Sequence, residues 1–201
     1  MVSRDTSEKK GTLFVISGPS GVGKATVLKV LLPGCPELHY SISVTTRAPR
    51  LAPPERAERH GVDYFFVSRA EFDGMVARSE FLEWAEFNGN CYGTPRAPVE
   101  KLLAEGKTVV LELETRGAAQ VRALMPEAKL IFLVPPSMSE LIGRLKERGT
   151  ENADEIEQRY EIANKEMKTA ALYDYQVVND VVERAAGQIR DIIDAVTRIS
   201  G

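Results

Sequence analysis

Four continuous apolar runs stand out along the chain: Thr12 to Ser17 (TLFVIS), Thr108 to Leu113 (TVVLEL), Lys129 to Val134 (KLIFLV) and Tyr175 to Val178 (YQVV). None alternates cleanly between apolar and polar residues. A strand with one wet face alternates, whereas a strand covered on both faces does not, so these runs predict buried strands of a parallel sheet. Between them the pattern switches to helical spacing. Ala25 to Leu32 reads as a helix stopped by Pro33 and Gly34. Ser137-x-x-Glu140 and Asn152-x-x-Glu155 read as helix starts, the second an Asn variant of the capping box. After the second start, Ile156, Tyr160, Ala163, Met167 and Ala171 recur at helical spacing, as do Ile189, Ile192, Ile193, Val196 and Ile199 near the end. Strand, glycine-rich turn and helix at the front, followed by alternating elements, predict an α/β fold.

Residues 41–94 break this rhythm. They hold a short strand-like run (Tyr64 to Val67), a short helix begun by Ser68-x-x-Glu71 and many turn residues. They read as a lobe of mixed α/β character inserted into the core. Thr94-Pro95 then reads as an N-cap followed by Pro at the first helical position, opening a helix that ends near Gly106. The predicted organisation is a loose tail (1–10), a core (11–40 and 95–201) and the inserted lobe (41–94).

Composition adds mainly exclusions. The net charge is −3 over 201 residues, with no basic surplus of the kind a nucleic-acid binder carries. Any anionic ligand must therefore be met by locally concentrated Arg and Lys. Cys35 and Cys91 are far apart and in no metal-like spacing, which reads as free thiols in a reducing compartment. The first ten residues have no apolar stretch of signal-peptide type, and no run is long enough to span a bilayer. Those features predict a cytoplasmic protein with neither membrane nor nucleic acid as partner, acting as a monomer or homodimer.

Gly18-Pro19-Ser20-Gly21-Val22-Gly23-Lys24 follows the first strand and opens the first helix. Glycines let backbone N–H groups turn toward a polyanion, the helix N-terminus adds partial positive charge, and the lysine reaches terminal phosphates. This is a phosphate-binding loop in its proper context. The position after the lysine, where a Ser or Thr hydroxyl commonly meets Mg²⁺, is Ala25, and Thr26 follows. A metal would then be held by ATP oxygens and waters, with Thr26 the hydroxyl that could join.

A second group of residues suits another phosphate. Ser41-Ile-Ser43-Val-Thr-Thr-Arg47-Ala-Pro-Arg50 sets two guanidinium forks beside several hydroxyls. Asp63-Tyr64-Phe65-Phe66, Phe81-Leu82-Glu83-Trp84 and Asn90-Cys91-Tyr92-Gly93-Thr94 follow. Phenols can donate to phosphate oxygens, and a buried carboxylate can accept from the two N–H groups on a guanine edge. Taken singly, each has a plain alternative as surface charge or core edge.

Taken together, in this order, with Glu147-Arg148-Gly149-Thr150 and Val177-Val178-Asn179-Asp180, these stretches closely resemble the guanylate kinase family over roughly residues 11–201. The resemblance implies a P-loop NTPase three-layer core with a parallel sheet, an inserted GMP-binding lobe and a helical lid at about residues 137–160. It implies ATP and GMP as substrates and Mg²⁺ as cofactor. Gly18, Pro19, Ser20, Gly21, Val22, Gly23, Lys24, Ala25 and Thr26 would cradle ATP, with Asn179 near the adenine. Ser43, Glu83, Glu112 and Glu114 would serve the guanine side, and Arg47, Arg50, Tyr64, Tyr92, Gly93 and Thr94 the rest of the GMP site. Lys24, Arg47, Arg144, Arg148 and Arg159 would act on the transferring group. Arg144 and Arg148 share a helical face if their helix continues, though such residues also suit a plain solvated surface.

Several positions depart from the family pattern. The link LAPPERAERHGV between Arg50 and Asp63 is longer than usual and carries Arg56, Arg59 and His60. It reads as a surface extension or as a source of extra cationic contacts. Leu51-Ala52 stands in place of a glycine-containing turn. Glu114 stands where Asp is usual and Arg116 where Gln is usual. His39 and His60 have no partner legible in the sequence. Two other functions suit parts of the pattern: a kinase of another phosphorylated small molecule, and a catalytically silent module of the same fold that binds a protein.

Overall fold

The computed structural model of the chain describes residues 10–51, 57–147 and 153–199. Residues 1–9 of the predicted tail, Arg56, Arg148 and the Asn152 helix start lie outside them. Strands β1 (Leu13–Ser17), β2 (Leu38–Tyr40), β7 (Thr108–Glu112), β8 (Lys129–Val134) and β9 (Tyr175–Val178) form one five-stranded sheet in the order β2-β7-β1-β8-β9. Every pairing in it is parallel, as the continuous apolar runs predict.

The central strands β1, β7 and β8 are covered on both faces, which is why they need no polar side. Phe14 and Ile16 of β1 point with Val110, Ile131 and Leu133 toward α1 (Lys24–Leu31) and α7 (Val182–Ile199). Leu13 and Val15 point the other way, with Val109, Leu111 and Leu130, toward α3 (Arg96–Ala104) and α4 (Thr115–Leu124). Successive residues of a strand face opposite sides, so one sequence run supplies both cores. Burial of each such side chain contributes about 1.5–3 kcal/mol. The periodic residues Ile189, Ile193 and Val196 of α7 are buried accordingly.

The inserted lobe is a second sheet, β4 (Phe65–Phe66), β3 (Val44–Thr45), β6 (Asn90–Pro95) and β5 (Phe81–Phe87), in that order, with α2 (Arg69–Ala77) against it. Phe72 stacks on Phe81 with ring centroids 4.5 Å apart, and Val44 and Cys91 complete a small core. β5 and β6 form a hairpin about Asn88 and Gly89, both at positive φ (48° and 74°). That two-residue loop is the one an Asn-Gly pair favours.

Two predicted helix starts cap as their sequences imply. Ser68 Oγ accepts from the Glu71 amide (3.2 Å) and Ser137 Oγ from the Glu140 amide (3.1 Å), the latter opening α5 (Met138–Glu147). α6 covers Ala153–Met167. One start differs. Thr94 and Pro95 belong to β6, Pro95 is itself the N-cap of α3, and Arg96 is the first helical residue. Pairing of Thr94 with Glu83 and of Pro95 with Phe81 keeps both residues in the strand, and the Thr94 hydroxyl donates to the buried Glu83 carboxylate. Both cysteines are free and buried, and no helix among the described residues is long and apolar enough to cross a membrane.

Candidate active site

The carboxyl ends of β1 and β7 open into a cavity of ≈ 400 Å³. This is the edge at which doubly wound sheets bind ligands. Ser20, Gly21, Lys24 and Ala25 line one side of it; Ser43, Tyr64, Glu83 and Tyr92 line the other, and Glu112, Glu114, Arg116 and Glu166 lie between.

The loop side owes its shape to glycine. Gly18, Gly21 and Gly23 all have positive φ (149°, 83° and 96°), which L side chains adopt at a cost. Gly18 is doubly constrained, since a Cβ there would lie 2.5 Å from the Leu133 carbonyl oxygen. Behind the loop, Asn179 Nδ2 donates to the Val22 carbonyl at 2.7 Å, and Arg144 Nη2 donates to the Asn179 carbonyl at 3.0 Å. Helix α5 is thereby tied to the back of the phosphate loop.

Lys24 Nζ donates to the Gly18 carbonyl at 2.8 Å. Burial pushes the pKa of this ammonium down, while Glu112, Glu166 and Glu114 act in the opposite sense. Glu112 is the mirror case. Its pKa is raised by burial, against the pull of Lys24 and a hydrogen bond from Tyr40.

On the far side, Glu83 is 8% exposed and its Oε1 accepts from Thr94 Oγ1 at 2.7 Å. A shift of register between Phe81 and Glu83 lets Phe81, Leu82 and Glu83 all turn inward, so Leu82 joins the main core while Glu83 reaches the cavity. Burial raises the Glu83 pKa, Thr94 opposes the rise, and the nearby Glu114 adds to it. Room for this carboxylate comes from a missing side chain: a Cβ on Gly117 would lie 2.7 Å from Glu83 Oε2.

Arg47 stands beside the cavity rather than in its lining. Its guanidinium carbon lies 5.4 Å from the Tyr64 ring centroid, and Tyr64 and Tyr92 meet edge to face at 6.4 Å. Glu58 grips it bidentately, at 2.8 and 2.9 Å, and also accepts from the Arg50 amide at 2.8 Å. Both members of the pair are largely buried, and the Arg47 hydrogen bond holds the Glu58 carboxyl below its usual pKa. The Arg50 side chain is 74% exposed. Thus the described part of the long link delivers an anion to Arg47. Arg59 uses its backbone N–H on Asp63, and His60 Nδ1 accepts from the Phe66 amide.

The predicted residues therefore divide. Ser20, Gly21, Lys24, Ala25, Ser43, Tyr64, Glu83, Tyr92, Glu112 and Glu114 share one cavity. Gly18, Pro19, Val22 and Gly23 shape the loop, and Thr94 acts through Glu83. Gly93 is buried in the β5–β6 hairpin against Phe81, and Thr26 is exposed outside the cavity lining. Arg159 is partly buried on α6. Tyr40, Glu58 and Glu166 are site residues that the sequence pattern does not single out. Glu58 contacts a residue eleven positions away across an irregular link, and Glu166 contacts the phosphate loop from the far end of the chain. Neither contact leaves a periodic trace.

Known proteins resemble this chain over most of its length. A family model described as guanylate kinase matches residues 10–196. A guanylate kinase of Thermus thermophilus is 50% identical over 96% of this chain and 84% of its own length. One of Thermobifida fusca is 51% identical over 91% of each chain. A crystal structure of guanylate kinase from Anaplasma phagocytophilum superposes with a TM-score of 0.74 at 34% identity, covering 94% of this chain and 87% of that one. A shikimate kinase from Bacteroides thetaiotaomicron, 14% identical with a TM-score of 0.50, shares the fold alone.

Proposed function

The chain belongs to the guanylate kinase family, and on that premise we propose how its residues move the γ-phosphoryl group of ATP onto GMP, giving ADP and GDP. The observation that carries the reading is the single cavity with Lys24 and the loop at one side and Ser43, Tyr64, Glu83 and Tyr92 at the other. Donor and acceptor phosphates would meet between them.

Phosphoryl transfer needs little covalent help from a protein; positioning, charge compensation and exclusion of water supply most of the catalysis. The ATP polyphosphate lies along the loop, against the amides and Lys24. The guanine edge presents two N–H groups to Glu83, which must be ionised to accept both, with Ser43 and Glu114 beside it. The GMP phosphate takes the Tyr64 and Tyr92 hydroxyls and Arg47, and Arg50 approaches from the rim. Arg144, already bonded to the loop's back, and Arg159 act from the lid side on charge that develops in the transition state. No covalent phospho-enzyme is part of this scheme. The free thiols of Cys35 and Cys91 favour a reducing compartment, and the reaction is assigned to the cytoplasm.

Guanylate kinases, like kinases in general, use a divalent metal. Among the described residues no group of three or more His, Cys, Asp or Glu could hold one. Ala25 offers no oxygen. Glu112 and Glu114, however, line the cavity beside Lys24. Carboxylates next to a polyphosphate fit Mg²⁺, which keeps most of its waters and is held by one or two carboxylates plus substrate oxygens. Glu112, the carboxylate that bears most on Lys24, would hold it together with ATP oxygens and waters, and its charge would offset that of the phosphates.

An assay coupled to ADP release, run with ATP, Mg²⁺ and each nucleoside monophosphate in turn, tests the assignment. Turnover with GMP should exceed that with AMP by at least about a hundredfold, as polar readout of a base edge allows. Equal rates, or ADP release without an acceptor, contradict it.

A further inference from the structure

Ser20 belongs to the phosphate loop, and its backbone N–H donates to Glu166 Oε2 at 3.1 Å. Glu166 comes from α6, and it lines the same cavity as Ser20 and Lys24. Its other oxygen, Oε1, accepts from Thr115 Oγ1 at 3.4 Å, at the start of α4. Its carbonyl accepts from Thr169 Oγ1 at 2.7 Å, which pins the end of α6. One side chain thus joins the phosphate loop, the helix that follows β7, and the second helix of the lid region. Family resemblance and motif spacing assign it nothing.

A carboxylate bonded to a loop amide uses the same chemistry a phosphate oxygen would use there. The Ser20 amide has one proton to give. We propose that Glu166 is a positioning residue that holds the Ser20 amide and yields it to the polyphosphate of ATP, so that nucleotide and α6 compete for one donor. This rests on the reading of the chain as an ATP-using kinase. Two consequences follow from charge alone. Glu166 opposes anion binding at the loop, and occupancy of the loop releases α6 from it.

Glu166→Gln tests the sign. The carboxamide keeps the shape and still has an oxygen for the Ser20 amide, but the charge is gone. Calorimetric titration with inorganic pyrophosphate and with a non-hydrolysable ATP analogue should show each binding the variant about three- to tenfold more tightly than the parent chain, the order expected for removing one partly screened like charge. A residue that merely braced the structure would give equal or weaker binding, and that result overturns the proposal. The Ser20 amide resonance supplies a readout that does not depend on the variant folding. It should move when pyrophosphate is added to the unaltered chain, and a resonance that stays put overturns the proposal equally. GDP formation by the unaltered chain is measured alongside. If that fails, the assignment as a kinase falls, and the pyrophosphate titration still decides the role of Glu166.

Discussion

Lys24, Glu83 and Gly117 allow tests one side chain at a time. Lys24 is half-buried, bonded to the Gly18 carbonyl and surrounded by carboxylates. Replacing it with Ala should lower turnover by about a hundredfold or more, in line with loss of a transition-state donor, with circular dichroism unchanged. Glu83→Gln should erode the preference for GMP over AMP, because an amide accepts two N–H groups poorly. The pH dependence of GMP binding gives a second view of that residue. Burial raises the Glu83 pKa, and only the ionised form suits the guanine edge. GMP affinity should therefore fall with acidification at a pH above the ordinary carboxylate range, and Glu83→Gln should flatten that dependence. Calorimetry across pH checks both. Gly117→Ala is the most discriminating substitution. Helix propensity alone predicts a gain of up to about 1 kcal/mol in α4. The new Cβ would crowd Glu83 Oε2, so GMP affinity should drop about tenfold, the order of one disturbed hydrogen bond. A tighter-folded chain with undiminished GMP binding would contradict this geometry.

Among the elements, the core was readable and the lobe less so. The runs that became β1, β7 and β8 are continuous because central parallel strands have no wet face to interrupt the pattern, whereas β9, at one edge of the sheet, buries only Val177. The edge strand β2 is only Leu38–Tyr40, with burial falling along it, and left no such run. The β5–β6 hairpin did carry a signal, Asn88-Gly89 between two strand-like stretches, and its turn geometry matches that pair. Thr94-Pro95 fits a local helix rule, but pairing with Glu83 and Phe81 across the hairpin carries β6 through both residues and moves the helix start on by one. The link after Arg50 was noticed for its cations, whereas its observed contribution is Glu58. Glu58→Gln should leave Arg47 without its bidentate partner and raise the KM for GMP about tenfold, as loosening of a positioned charge implies. The same change should remove one pH-dependent element of stability. The folded-state pKa of Glu58 lies below its unfolded value, so its contribution is present above the unfolded value and disappears as pH falls through the folded one. Denaturation curves at neutral and acid pH should then converge for parent and variant toward the acid end. GMP binding that tightens in the variant would instead make Glu58 a competitor of the phosphate.

For the molecule as a whole, the unusual property is a cavity built to bring two anions together although most of its charged lining is acidic. Asp63, Glu83, Glu112, Glu114 and Glu166 line it against Lys24 and Arg116. Burial raises the pKa of Glu83, Glu112 and Glu166. Such raised carboxylates favour the folded chain below their unfolded pKa, and that contribution is lost as pH rises through their folded values. In its ionised form each of these carboxylates adds negative charge beside the phosphates, which the loop amides, Lys24, the flanking arginines and a metal arriving with ATP must offset before transfer. The most direct test follows one labelled phosphoryl group through a single turnover of ATP, Mg²⁺ and GMP. With the label on the γ-phosphate, it should appear in the β-phosphate of GDP, matched by unlabelled ADP, with little released as inorganic phosphate. Binding of both nucleotides without labelled GDP, or label recovered mainly as inorganic phosphate, would contradict a cavity that joins two phosphates and excludes water.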